Sequence, residues 1–592
     1  MISRMWVLLA VMLTVLSIFF GRLMYLQLAQ AETFGELSTR NFMEERRISP
    51  LRGRILTSDG VVLADNRVAY DLMYWGGEVA NWSRLRALLG LEGEPRPPDP
   101  DHPEEDRQGA VLAWNIPDHL ITAVSERVAG QSNLYLRQRI ERVYPTNLAA
   151  QVVGYTTAAD PERFPGYANE EVAGVMGIEA GFESELFGTP GVQRVELDNR
   201  RTILRSKVLL AASLGEDVTL TIDSTVQRAA EEALEGALRY VNTDRERVDL
   251  PLAEEVRGAL IALDPRTGAI LAMASVPSFD QNLFTRRPID QGVVEPILQD
   301  RERLPLSNRA IEAYAPASTF KVVTSSALLE YGYVGPSTRF PCSTQFSLGG
   351  ITWKNWATND RGLYSIREAI ADSCNTYFWY AVASTPGALR GWAPFIEHLV
   401  LRARELGYGE VVDVGLGEEK EGRIPDLAWA REQYRYGWLP GFTFNTVIGQ
   451  GDVLATPLQV ARLVATVAMS GRQFAPHLVA KVGDRVIPPE SRQIPGRYWD
   501  TLREGMRMMF TDFPMQALLG PGVFPVDVAG KTGTAQTPRG EDYTHAWFMG
   551  YGPVDDPELA VVVFIEHGGS SSRVSVPVTR DFMAAFWGVE LP

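Results

Sequence analysis

An α+β fold is what this sequence predicts: one apolar helix at the N-terminus, an extended mixed α/β region after it, and a C-terminal domain whose antiparallel sheet is flanked by helices. Three observations carry that expectation. The run Met5–Gly21 (MWVLLAVMLTVLSIFFG) has no charge and continues beyond Arg22 as LMYLQLA, which supplies the roughly 20 residues a membrane-spanning helix needs. β-rich runs stand at both ends of the C-terminal half: GALIALDP and AILAMASVP on one side, Val526–Ala535, Ala546–Gly552 and Leu559–Glu566 on the other. Between them the text is mostly helical.

At 592 residues the chain is several times a typical domain of roughly 150 residues, so two to four folded units are expected. A hydrophobic share of 45% with 22% charged residues fits globular domains, and neither wholesale disorder nor a multi-span membrane protein. The formal net charge of -16 argues against a phosphate-tracking protein, so nucleic acid is not an expected partner. Only six of the 57 basic residues are lysine: Lys207, Lys321, Lys354, Lys420, Lys481 and Lys531. Arginine stays protonated at any usable pH, whereas a buried lysine can lose its proton, so a chain that otherwise uses arginine keeps lysine where chemistry needs it.

In order along the chain, Arg4 and the α-amino group precede the apolar run. The positive-inside rule then keeps residues 1–5 cytoplasmic, makes 6–28 the anchor and exports the rest. Ala29-Gln30-Ala31 has the form of a signal-peptide cleavage site, but Arg22 and a long gap separate it from the apolar core, which favours an uncleaved anchor. Arg46–Asn66 alternates short β-like pieces with turns at Pro50, Gly53 and Asp59-Gly60. Glu92–Arg107 is rich in proline and acid and reads as an exposed loop. Asp118–Ala129 reads as a helix and Gly188–Gly191 as a turn. At Asp217 the pattern changes. VTLTID is a strand grouped with the later hairpin, Ser224–Val241 has helical spacing with Asp223 or Ser224 as cap, and Pro265–Gly268 joins the two hairpin runs. A last helix is expected over Thr579–Gly588.

The chemistry lies in and beside the helical middle. Ser318 and Lys321 stand three apart at the opening of a helix, on one face, where a neutral lysine can take the proton of a serine nucleophile. The helix N-terminus adds N–H groups for a developing oxyanion. Alone, the pair reads better as a helix cap and a solvated lysine. Lys531-Thr532-Gly533-Thr534 lies on an expected strand, where Gly533 leaves room for a ligand backbone. A phosphate-binding P-loop would need glycine at position 525, which is Pro525, and a helix afterwards. Ser373-Cys374-Asn375 falls between the two lysines. The order S-x-x-K, S-x-N, K-T-G is the signature of the serine acyltransferases that react with penicillin. Two cysteines, Cys342 and Cys374, suit an exported chain that does not depend on a disulfide framework, and their pairing stays open. With neither flanked by a Cys or His at ligand spacing, and six scattered histidines, no metal and no cofactor is expected.

With those motifs the chain resembles the class B penicillin-binding proteins over nearly its whole length. The likeness extends to RGRIL…DG…LA (Arg52–Ala64), GVMGIEAGFESEL (Gly174–Leu186), LTIDSTVQ (Leu220–Gln227) and HAWFMGY (His545–Tyr551). Ile448-Gly449-Gln450-Gly451 followed by Ala455–Gln459 is more similar to the cell-elongation type, penicillin-binding protein 2, than to the division type. The resemblance implies an anchor, a pedestal of the dimerisation type over 29–215, and a transpeptidase domain over 216–592 with a five-stranded antiparallel sheet and a helical subdomain. It implies a D,D-transpeptidase of the bacterial inner membrane that crosslinks peptidoglycan stem peptides through an acyl-serine, is blocked by β-lactams, and partners a SEDS-type glycan polymerase. Carried over by motif, Ser318 is the nucleophile, Lys321 its base, Ser373 the proton relay and Asn375 a substrate-amide ligand. Lys531, Thr532 and Thr534 bind the terminal carboxylate, Gly533 belongs to that site, and the backbone N–H groups of Ser318 and Thr534 form the oxyanion hole. The charge of Lys531 would disfavour a charged Lys321.

Ala317 stands where the family usually has glycine, and Cys374 fills the variable middle of S-x-N. Some elongation-type relatives carry zinc before S-x-N; Arg361 and Ile370 occupy the aligned positions, so no metal is expected there either. A D,D-carboxypeptidase would share every motif, but anchor and pedestal favour the transpeptidase. A β-lactamase would need a deacylating carboxylate that no motif identifies. A division-type enzyme, or a mainly non-catalytic activator of the polymerase, is the alternative reading.

Overall fold

The computed structural model describes residues 2–29, 43–99, 109–160, 162–168, 171–197, 203–385, 393–513 and 515–591. Of the expected loop at 92–107, the part from 100 on lies outside the described residues, and 92–99 form neither helix nor strand. The chain divides into two compact units, residues 1–52 with 187–215 and residues 53–186 with 216–592.

The smaller unit begins with helix α1 (Ile2–Met24), extended by one π-helical turn over Tyr25–Ala29. Among the described residues, Met5–Leu28 is the helix long and apolar enough to cross a membrane, and a helix satisfies its own backbone polar groups there. The unit also holds a three-stranded antiparallel sheet, with Gly191–Leu197 between Met43–Ile48 and Ile203–Leu210.

Among the described residues the larger unit contains two large sheets besides four two-stranded ones. In the first, Val62–Tyr74 pairs antiparallel with Leu134–Val143 and with Ala110–Ala113, and the expected helix is found at Asp118–Val128. The expected VTLTID strand is Val218–Leu220, and it joins this sheet rather than that of the hairpin. It runs parallel to Ile55–Leu56 and antiparallel to Val479–Val482, with Val218 and Leu220 fully buried. Asp217, just before it, accepts two hydrogen bonds from the Arg54 guanidinium at 2.7 and 3.1 Å and one from the Arg54 N–H, which fixes that register. Nearby, Glu179 of the GVMGIEAG segment accepts from Arg142 at 2.7 Å and from the Tyr144 hydroxyl at 3.2 Å, with no exposure of either charged side chain.

The one helix expected over 224–241 is two, α2 (Ser224–Glu235) and α3 (Ala237–Arg247), which meet at Gly236, a poor helix former. Asp223 is the cap and accepts from the N–H groups of Thr225 and Val226, while the Ser224 hydroxyl donates to Asp59. The hairpin forms as β1 (Gly258–Leu263) and β2 (Ile270–Val276). With β3 (Ala529–Thr537), β4 (Gly540–Gly552) and β5 (Leu559–Ile565) it makes the second sheet, antiparallel throughout, in the order β2-β1-β5-β4-β3. Between β2 and β3 run α4 (Lys321–Glu330), α5 (Ile366–Ala371), α6 (Asn375–Ala383), α7 (Pro457–Ala468) and α8 (Trp499–Thr511), and α9 (Ser575–Trp587) ends the chain.

Both faces of this sheet are covered. Leu260 and Ala262 of β1 pack with α2 and α9, while Ala259, Ile261 and Leu263 pack on the side of α4 and α7. That is why β1 and β5 are unbroken apolar runs rather than alternating ones. β3, which carries the second lysine motif, is an edge strand, and its outer side is turned to the site.

Candidate active site

The S-x-x-K segment is built from a 3₁₀ turn, Ala317–Phe320, that leads directly into α4, so Ser318 lies in the turn and Lys321 is the first residue of the α-helix. Ala317 has φ of 49°, a left-handed conformation that costs an L-residue about 1–2 kcal/mol and suits glycine. Its N–H donates to the Gly449 carbonyl at 2.8 Å, which holds the turn against that loop. Ser373, at the junction of α5 and α6, is also left-handed, with φ of 55°. Strain of this kind persists where the surroundings over-determine it, and it clusters at functional sites.

Lys321 has no exposure. Its Nζ donates to the Ser373 carbonyl at 2.6 Å and to Asn375 Oδ1 at 2.5 Å, stands 3.2 Å from Ser373 Oγ, and lies 5.7 Å from the centre of the Phe378 ring. Burial, and after it the charge of Lys531, hold the Lys321 amine well below the usual lysine range, with Asp372 acting in the opposite sense. A neutral amine has two N–H groups and one lone pair. The carbonyl of Ser373 and Oδ1 of Asn375 only accept, so they take the two N–H groups and the lone pair is left for a hydroxyl proton. Ser373 Oγ already stands there, and Ser318 lies on the same turn of chain.

Lys531 is equally buried, donates to the Thr532 carbonyl at 2.9 Å, and is lowered by burial to about 7. The carbonyl of Thr534 accepts from Gln450 Nε2 at 3.2 Å. In an antiparallel strand the N–H and C=O of one residue point to the same side, so the Thr534 N–H also faces away from β4. A Cβ on Gly533 would lie 3.1 Å from both the Pro316 oxygen and Thr319 Cγ2. The missing side chain therefore makes room for the Ser318 turn of the chain itself, where the sequence reads room for a ligand.

These pieces enclose a cavity of about 460 Å³. Of the eight residues singled out in the sequence, Ser318, Ser373, Asn375, Thr532 and Thr534 line it, and Lys321, Lys531 and Gly533 are buried behind it. Cys342 and Cys374 form a disulfide with Cα atoms 5.9 Å apart, which ties the middle of S-x-N to the strand at Phe340–Pro341.

Residues 258–584 match the penicillin binding protein transpeptidase domain, and residues 47–220 the penicillin-binding protein dimerisation domain. The chain belongs to the penicillin-binding protein family. The peptidoglycan D,D-transpeptidase MrdA of Acinetobacter baumannii is 30% identical over 94% of this chain and 84% of that protein. The MrdA protein of Escherichia coli is 27% identical over 93% of this chain and 88% of its own length. Among solved structures, a chain described under the structural coordination of polymerization and crosslinking by a peptidoglycan synthase complex is 44% identical. It covers 99% of both chains with a TM-score of 0.82. Pseudomonas aeruginosa PBP2 in complex with WCK 5153 is 27% identical over 93% of this chain and 98% of that one, with a TM-score of 0.68.

The cleft of this penicillin-binding protein also contains residues outside those eight. Asp372, Trp356, Gln450 and the run Ser570–Ser572 line it. Trp356 Nε1 donates to the Ser373 carbonyl at 3.1 Å, so that oxygen is held from two sides. Asp372 accepts from the Tyr364 hydroxyl at 2.9 Å, and burial raises its carboxyl. Adjacency to S-x-N is the one signal that points to Asp372, and three consecutive serines after a strand the one that points to Ser570–Ser572.

Proposed function

We propose that the chain is a peptidoglycan D,D-transpeptidase of the cell-elongation type. In this reading residues 1–5 are a cytoplasmic tail, 6–28 a single-pass anchor in the bacterial inner membrane, 29–215 the pedestal and 216–592 the extracytoplasmic catalytic domain. The observation that carries it is the buried Lys321 amine, held below its usual range and bonded to Ser373 and Asn375 beside Ser318.

Ser318 Oγ attacks the carbonyl between the terminal D-Ala residues of a donor stem peptide as Lys321 Nζ takes its proton. The oxyanion is met by the N–H groups of Ser318 and Thr534, the latter turned outward on the edge of β3. Collapse of the tetrahedral adduct expels D-Ala, whose nitrogen receives the proton through Ser373 Oγ. An acceptor amine then attacks the acyl-Ser318 ester and restores the hydroxyl. Lys531, Thr532 and Thr534 hold the terminal carboxylate, and Asn375, whose Oδ1 is occupied by Lys321, offers its NH₂ to a substrate carbonyl. A β-lactam brings the same carboxylate and a leaving nitrogen that stays tethered, so the reaction stops at the acyl-enzyme.

The likeness to a chain of a peptidoglycan synthase complex supports a SEDS-family polymerase as partner. Incubation of the solubilised protein with a fluorescent penicillin is expected to give a covalent adduct that Ser318→Ala abolishes. No label on the wild type, or equal label on the variant, would sink the reading. Co-purified with the polymerase, Ser318→Ala is expected to stimulate glycan synthesis as well as wild type does.

A further inference from the structure

After β5 the chain runs through Gly568-Gly569-Ser570-Ser571-Ser572-Arg573 into α9. All three serines line the cavity, and the hydroxyl of buried Ser571 lies 2.9 Å from that of exposed Thr534. We propose that Ser571 is a positioning residue of the carboxylate subsite, holding the Thr534 hydroxyl as a donor to the terminal carboxylate of the substrate. The proposal rests on the role given to Thr534 above and deepens it.

Two hydroxyls that share one hydrogen bond can point it either way. A carboxylate only accepts, so once it engages Thr534 the Thr534 proton is committed to it, and the Thr534 oxygen becomes free to accept from Ser571. Ser571 thereby selects one of the rotamers open to Thr534 and polarises its O–H toward the anion.

The turn that presents Ser571 is built for a fixed position. Asp244 of α3, almost fully buried, accepts from the Ser570 N–H at 2.8 Å and from Arg573 Nε. Gly569 has φ of 81°, and a Cβ there would come within 2.4 Å of Asp244 Oδ2, so glycine alone allows this approach. The Gly569 carbonyl accepts from the Thr544 hydroxyl at 2.9 Å. On the far side the Ser571 carbonyl accepts from the Val576 N–H and the Ser575 hydroxyl, each at 3.0 Å. β4, α3 and α9 thus all hold the turn, and the one side-chain hydroxyl it directs to β3 is that of Ser571 among the described residues.

The test compares a fluorescent penicillin with its methyl ester, which lacks the anionic carboxylate. Ser571→Ala is expected to lower the second-order acylation constant for the acid about tenfold through weaker initial binding, the upper end of what one neutral hydrogen bond is worth, and to leave the slower reaction of the ester unchanged. Ser571→Thr, which restores a hydroxyl, is expected to recover most of the loss. A wild type that labels normally beside an unaltered Ser571→Ala overturns this proposal alone, as does equal slowing of acid and ester, which marks a purely structural role. A wild type that does not label at all overturns the transpeptidase reading and this proposal with it.

Discussion

Two of the charged clusters buried in the larger unit resolve their charge in opposite ways. Arg142 and Glu179 meet as a cation and an anion at 2.7 Å, with Tyr144 adding a second hydrogen bond to Glu179, all shielded from water. Lys321 and Lys531 are two like groups, each without exposure, and burial lowers both. The first cluster cancels its charge internally and can be inert. The second leaves electrostatic work undone, and that residue of unfavourable energy is what makes an amine available as a base near neutral pH. Buried charge is thus structural where it is cancelled and reactive where it is not.

Removing each cluster's charge should break this contrast if it is wrong. The largest effect is expected from Lys321→Met, which keeps the apolar stem and deletes the amine. Acylation by a fluorescent penicillin should fall by about 10²–10⁴, the usual worth of a general base. The thermal midpoint should stay level or rise, because a buried ionisable group has been replaced by an apolar one. A fall in stability comparable to the fall in rate would remove the distinction between the clusters.

Glu179→Gln should do the reverse. Taking one partner from a fully buried pair leaves Arg142 uncompensated, at a cost of about 3–5 kcal/mol in urea unfolding. The acylation constant per folded molecule should be unchanged. A large loss of acylation with intact stability would mean that the pair belongs to the reaction.

The sequence made some of this legible and hid the rest for physical reasons. β1 and β5 stand out because every residue in them is buried, which leaves a plain apolar run bounded by turn signals. Val218–Leu220 carries the same signal, yet which sheet it joins is decided by Ile55–Leu56 and Val479–Val482, remote in sequence. Ser318 and Lys321 are visible because one helical turn sets their spacing, and Lys531–Thr534 because a strand does. No periodicity relates Ser571 or Asp372 to those motifs; the fold brings them in through a turn and through the end of α5. The pairing of Cys342 with Cys374 is open in the sequence and settled by the 5.9 Å between their Cα atoms.

Asp372 offers the finest test of the comparison, because it is the acidic group that favours the charged form of both lysines. It lines the cavity and bonds the Tyr364 hydroxyl, so Asp372→Asn keeps the shape and a hydrogen-bonding oxygen while removing the charge. In the free enzyme the productive form needs Lys321 neutral and Lys531 charged. The alkaline limb of the acylation profile should therefore follow Lys531, near 7. Without the carboxylate the charged form of Lys531 loses an attraction, its pKa falls below 7, and the alkaline limb should move to lower pH. The acid limb, set by Lys321, should move the same way, since the same attraction is lost there. The expected change is a displacement of the whole profile by up to about one pH unit with little loss at its maximum. An unmoved profile would mean that Asp372 does not set the charge of the two lysines, and that burial and their mutual repulsion alone tune the site.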